Sequence, residues 1–125
     1  MTELQALAQQ LKDEGTPISL HVAEPAAEDS FTPPGDRAAV VEAVREGYLL
    51  HYGQARLLEG HDDDLALLAG DYLYALGIER LAALGDTDAV LVLADLIAAS
   101  ARLHAEGRSD EVEQIWERAL TELGG

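Results

Sequence analysis

The chain has no cysteine, a single lysine, and little basic charge to set against its acid. Of 125 residues, 24 are Asp or Glu and 8 are Lys or Arg, so the formal net charge is −16. Without cysteine there are no disulfides and no thiolate metal sites. A surface this acidic repels phosphate backbones, which argues against nucleic-acid binding. Aromatics make up only 5%, so a core has to be built from Leu and Ala. No charge-free apolar run reaches the ~18 residues of a membrane span, and no transmembrane helix is expected. Met1 is followed by Thr2 and Glu3, not by a basic, apolar signal, so a cytoplasmic protein is expected.

What is present is aliphatic. An apolar fraction of 48% is that of a globular chain and excludes full disorder. The length suits one domain. The preference for Arg over Lys, with abundant Ala and Leu, fits a GC-rich genome or a high-salt cytoplasm, and composition does not choose between them.

All four prolines fall between Gly15 and Gly35, and this divides the chain into residues 1–35 and 36–125. The first part opens with a short helix from Thr2 to Glu14, whose Leu4, Leu7, Ala8 and Leu11 recur at helical spacing. Thr2 is its cap and Gly15 its stop. Ile18, Leu20 and Val22 then alternate with polar or small residues, the period of a short strand. No second strand is visible to pair with it. The segment is expected either to pack as an extended arm or to pair with the same segment of another chain, with Ala23 to Pro34 as linker. Four further helices are predicted: Asp36 to about Glu59, Asp62–Asp64 to Leu84, Asp86 to about Glu106, and one capped by Ser109 that ends at Gly124-Gly125. Caps and closing glycines agree at each junction, so the expected class is all-α: an antiparallel bundle of four to five helices with an extended N-terminal arm.

The helices over 62–84 and 86–106 are apolar nearly all round, the signature of central helices. A small chain has difficulty covering two, so oligomerisation through them is expected. Gly70 and Gly77, with Ala66, form a smooth stripe for close backbone approach. Each glycine costs a helix about 1 kcal/mol relative to Ala, which suggests a packing reason.

Among residues that could carry chemistry, His61-Asp62-Asp63-Asp64 is the densest group. Carboxylates that face one divalent ion from a helix stand at i and i+3 or i+4, and here Leu65 and Ala66 follow Asp62 at those steps. Helix capping is the better reading, with His61 and Asp62 retained as weak metal candidates. Asp71 and Asp95 stand inside apolar helices, where an ionised carboxylate needs a partner such as Arg45, Arg56 or Arg80, or lines a cavity. His51, Tyr48 and Tyr52 form another group, without the E-x-x-H spacing of carboxylate-bridged di-metal bundles. Trp116 is expected in the core. No nucleophile elbow and no phosphate-binding glycine loop is present, and no cofactor is expected.

The stretch Leu67-Leu68-Ala69-Gly70-Asp71-Tyr72-Leu73, continuing to Leu81-Ala82-Ala83-Leu84-Gly85-Asp86, resembles a helix of the trans-polyprenyl diphosphate synthases, in which an LAGD-(Y/F)-L motif opens a central helix. Leu49-Leu50-His51 is weakly similar to the family's preceding helix. The similarity covers residues 48–105. The family's D-D-x-x-D motifs, which bind Mg²⁺ and the allylic diphosphate, have no counterpart. The resemblance therefore implies a non-catalytic accessory subunit, like the small partner of heteromeric polyprenyl synthases, pairing with a catalytic synthase or with itself. Two alternatives stay open. One is a free-standing helical oligomer with an apolar pocket for an isoprenoid-like ligand, Asp71 and His51 at its mouth. The other is a small metal-dependent hydrolase using His51, His61, Asp62 and Asp71. Ligand or interface candidates are thus His51, Tyr48, Tyr52, Gly70, Asp71, Gly77 and Asp95, with no catalytic residue assigned.

Overall fold

The computed structural model describes residues 1–32 and 35–124. Pro33, Pro34 and Gly125, placed by the sequence reading before the second helix and at the chain's end, lie outside the described residues. The chain is all-α: α1 (Glu3–Asp13), α2 (Ala38–Tyr52), α3 (Asp63–Ala83), α4 (Thr87–Ala105) and α5 (Val112–Gly124), with no strand among the described residues. By its internal contacts it divides into two compact units, Met1–Gly77 and Ile78–Gly125.

In the first unit α1 is fixed at its start by a reciprocal cap. The Gln5 amide donates to Thr2 Oγ1 at 3.1 Å, and the Thr2 amide donates to Gln5 Oε1 at 2.9 Å, which satisfies two otherwise orphan N–H groups. Leu4, Leu7, Ala8 and Leu11 are buried along one stripe, as the periodicity predicts. The strand expected at Ile18–Val22 is not formed. Pro17 pre-sets the backbone for a 3₁₀ turn, Pro17–His21, which buries Ile18 and leaves Leu20 exposed. Only Val22 makes a β-bridge, antiparallel to Leu58 of the same chain. The Ala23 amide donates to the Leu57 carbonyl and the Glu59 amide to the His21 carbonyl. The open ladder groups are thus met by the segment after α2, and no second copy is needed for them.

That segment also corrects the second helix, which stops at Tyr52 rather than near Glu59. Gly53 interrupts it, and Leu57 and Leu58 enter the core from a loop. The structure reassigns the central helix too. Every residue from Val40 to Tyr48 is buried, charged ones included. α2 is therefore the helix surrounded on all sides. α3 and α4, expected in that place, show leucines to solvent at Leu67, Leu68 and Leu91.

α2 and α3 run antiparallel, since His51 meets Leu67, Gly47 meets Gly70, and Val44 meets Gly77. At the crossing a Cβ on Gly47 would lie 2.8 Å from the Gly70 carbonyl oxygen, and one on Gly77 would lie 2.7 Å from Val44 Cγ2. The glycine stripe of α3 is a close-packing surface, as its cost suggested. Its partner is α2 of the same chain, not another subunit.

In the second unit, Asp86 caps α4 through the Ala89 amide. Ser100, fully buried, returns its hydroxyl to the Leu96 carbonyl at 2.8 Å, a bond within its own helix. Gly107, at φ +73°, ends α4 in a left-handed turn. A 3₁₀ turn, Ser109–Glu111, leads into α5. There Val112, Trp116 and Leu123 are buried, which places Trp116 in the core as expected.

Candidate functional site

His51, Tyr48, Tyr52, Gly70 and Asp71 come together in the first unit. His51 lies across Gly70, so close that a Cβ there would sit 2.4 Å from the ring. Its Nε2 is 3.1 Å from the Leu67 carbonyl oxygen and 3.3 Å from Asp71 Oδ1. Both neighbours are acceptors, so Nε2 carries the hydrogen. Tyr52 and Tyr74 stand edge-on to the imidazole, with centroids 5.9 and 5.2 Å away, and Tyr48 lies 5.3 Å from Tyr52. The Tyr74 hydroxyl is pushed above the ordinary phenol range by burial first, then by Tyr52, Tyr48 and Asp71. At neutral pH it is a hydrogen-bonding group, not a proton-transfer group.

The other predicted residues lie elsewhere. Gly77 packs under Val44. Asp71 and Asp95 are exposed, not buried, and the partner of Asp71 is His51 rather than any of the three arginines. Each carboxylate lies on the outward side of its helix, where apolar neighbours in sequence are not neighbours in space. Asp62 accepts the Leu65 amide at 2.8 Å, the cap it was read to be. Among the described residues, no group of three or more His, Asp or Glu side chains converges as metal ligands.

A buried, densely hydrogen-bonded polar site was not anticipated. Glu42 and Glu46, one turn apart on α2, are 1% and 0% exposed. Arg56 reaches between them. Its Nη1 donates to Glu42 Oε1 at 2.7 Å and its Nε to Glu46 Oε1 at 3.0 Å. Glu42 Oε2 also accepts the Phe31 and Thr32 amides, and Glu46 Oε2 accepts those of Arg56 and Leu57. Arg56 further donates to the carbonyls of Asp29 and Glu42. Arg45, on the same helix, lies 4.2 Å over the Phe31 ring and 5.3 Å from that of Tyr48, a cation–π contact. Burial pushes the Glu46 carboxyl up, while the Leu57 amide and the Arg56 charge pull it down, and burial prevails.

Chemically the cluster is a clamp. Two buried carboxylates seize four backbone amides from two loops, and one guanidinium offsets half of their charge. Its sequence signal is two like charges at i and i+4, with Arg45 between them, in a helix whose neighbouring residues are mostly apolar. That arrangement is repulsive unless a cation is brought in from elsewhere. No family model matches the chain, and neither does any curated protein or solved structure.

Proposed function

We propose that the chain is a non-catalytic helical accessory subunit that docks on a larger partner, with a trans-polyprenyl diphosphate synthase as that partner. One observation carries the docking part. In the stretch Leu67–Leu73, Ala69, Gly70 and Leu73 turn inward, while Leu67 and Leu68 remain 54% and 68% exposed. Full burial of a leucine stabilises an association by about 1.5–3 kcal/mol, so two adjacent exposed leucines are a useful docking ridge. The choice of partner rests on the resemblance of this stretch to the synthase helix. The clamp at Glu42, Arg56 and Glu46 suits the same role, because it is bound up in backbone contacts and presents no group to a substrate.

Light scattering on a mixture of the purified chain with a polyprenyl synthase from the same source tests the reading. A complex is expected, with altered product chain length. Leu68→Lys, at an exposed position that leaves the helix intact, should abolish it. Absence of a complex at micromolar concentration refutes the partner. Chain elongation by the pure protein from farnesyl and isopentenyl diphosphates with Mg²⁺ refutes the non-catalytic assignment.

A further inference from the structure

α4 and α5 enclose an open groove of about 200 Å³. Its floor is apolar and buried, at Leu96 and Ala119, and Ile115 forms part of its wall. Three charges line its rim: Asp95 on α4, and Arg118 and Glu122 on α5. All three are exposed.

Arg118 is set apart from the other cations. Lys12 pairs with Glu24, Arg56 with Glu42 and Glu46, Arg102 with Glu106, and Arg108 with Glu111. Arg45 lies over aromatic rings, and Arg37 and Arg80 also have partners. Among the described residues Arg118 is the one Lys or Arg side chain without an intramolecular partner. In a chain with 24 acidic residues and 8 basic ones, a guanidinium left unpaired beside an apolar groove is an unused contact. Asp95 and Glu122 on the same rim are likewise unpaired among the described residues.

We infer that this groove is a self-association surface, and that its occupant is the α4–α5 face of a second copy. The rim decides the occupant. A purely basic helix would set like charge against Arg118, and a purely acidic one would do so against Asp95 and Glu122. Stranded charges of that kind weaken an interface. A second copy brings both signs. Under a two-fold axis Arg118 of each copy meets Asp95 or Glu122 of the other, so that every favourable pair occurs twice. The small Ala119 at the floor lets a helix approach closely. The net charge of −16 per chain opposes association at long range. Screening shortens that repulsion from about 8 Å at 0.15 M salt to about 3 Å at 1 M, so the dimer tightens as salt is added. This surface uses none of the residues invoked for docking on a synthase, and the two proposals fail separately.

Sedimentation equilibrium of the full chain at 0.15 and 1 M NaCl is the test, with far-UV circular dichroism to establish that each variant is folded. A dimer is expected that is tighter at 1 M. Arg118→Glu should raise its dissociation constant about tenfold or more, since each lost rim pair counts twice. Adding Asp95→Arg or Glu122→Arg to that variant should restore the dimer. A monomer at both salt concentrations means that a different protein, or nothing, fills the groove, and overturns the inference. So does a dimer indifferent to Arg118→Glu, or a loss that neither second substitution repairs.

Discussion

Replacing Arg56 by Met keeps most of the side chain's bulk and removes the guanidinium that pairs with two carboxylates, 1% and 0% exposed. In the native clamp each carboxylate holds two backbone amides and one arm of the guanidinium. After the substitution the amides remain, but two like charges one helical turn apart lie buried without the guanidinium that joined them. Removing one partner of a buried pair costs about 3–5 kcal/mol. Against a typical domain stability of about 5–15 kcal/mol, that is a large share. Arg56→Lys retains the charge but not the fork that spans both carboxylates, and should fall between the two. Urea unfolding followed by far-UV circular dichroism measures the loss. A second reading separates charge from packing: lowering the pH should restore stability to Arg56→Met as the Glu46 carboxyl, already raised by burial and now without Arg56 to pull it down, takes up a proton. A loss under about 1 kcal/mol, or one that does not respond to pH, would refute the clamp as an electrostatic device. Exchange of all three residues for apolar ones should not rescue it either. Here the carboxylates serve the amides of Phe31, Thr32, Arg56 and Leu57, and an apolar core would leave those donors unmade at about 1–3 kcal/mol each.

The remaining expectations concern the same unit. Burial holds the Glu46 carboxyl above its ordinary 4.5, so the folded chain binds that proton more tightly than the unfolded one. Its contribution is full below 4.5 and is lost as the pH rises through the folded value; the urea midpoint should therefore decline more steeply as the pH is raised above 4.5 in the wild type than in Glu46→Gln, and equal slopes would contradict this. Gly47→Ala sets a methyl 2.8 Å from a backbone carbonyl and should cost about 1–3 kcal/mol by thermal unfolding. Gly70→Ala should cost a similar amount but recover part of it when His51 is shortened to Ala, because its nearest obstacle is the imidazole. Thr2→Ala should lose about 1 kcal/mol with the cap of α1, and no loss would mean that α1 is fixed by its leucines alone.

Local chemistry was legible in the sequence wherever it was decided by neighbours along the chain. Thr2, Asp62, Asp86 and Gly107 mark helix ends through bonds that span three or four residues, and each does so in the structure. The helix face of Leu4, Leu7, Ala8 and Leu11 was readable for the same reason. The alternation at Ile18, Leu20 and Val22 misled because a period of two over five residues is also compatible with a 3₁₀ turn begun by Pro17. Of the candidate site, the meeting of His51, Tyr52, Gly70 and Asp71 was within reach, since they flank one helix crossing. The clamp was not, because Arg56 lies ten and fourteen residues from its carboxylates across a loop that the helical pattern did not announce.

The exchange of roles between α2 and α3 has a physical origin in that clamp. Counting apolar letters ranks α3 and α4 as the most buried helices, because Glu42, Arg45 and Glu46 count against α2. Burial, however, is governed by what surrounds a helix. A charge can enter the interior when its opposite and its hydrogen bonds enter with it. Glu42 and Glu46 satisfy that condition through Arg56 and four amides, so α2 can be enclosed on every side. Among the described residues Asp64 has no such partner and Asp71 has only the His51 imidazole, and both turn outward. Leu67 and Leu68, which flank Asp71 on the same side of the helix, are turned outward with it. The exposed ridge proposed as a docking surface thus follows from two carboxylates in α3 that no arginine draws inward among the described residues, just as the enclosure of α2 follows from two carboxylates that Arg56 joins.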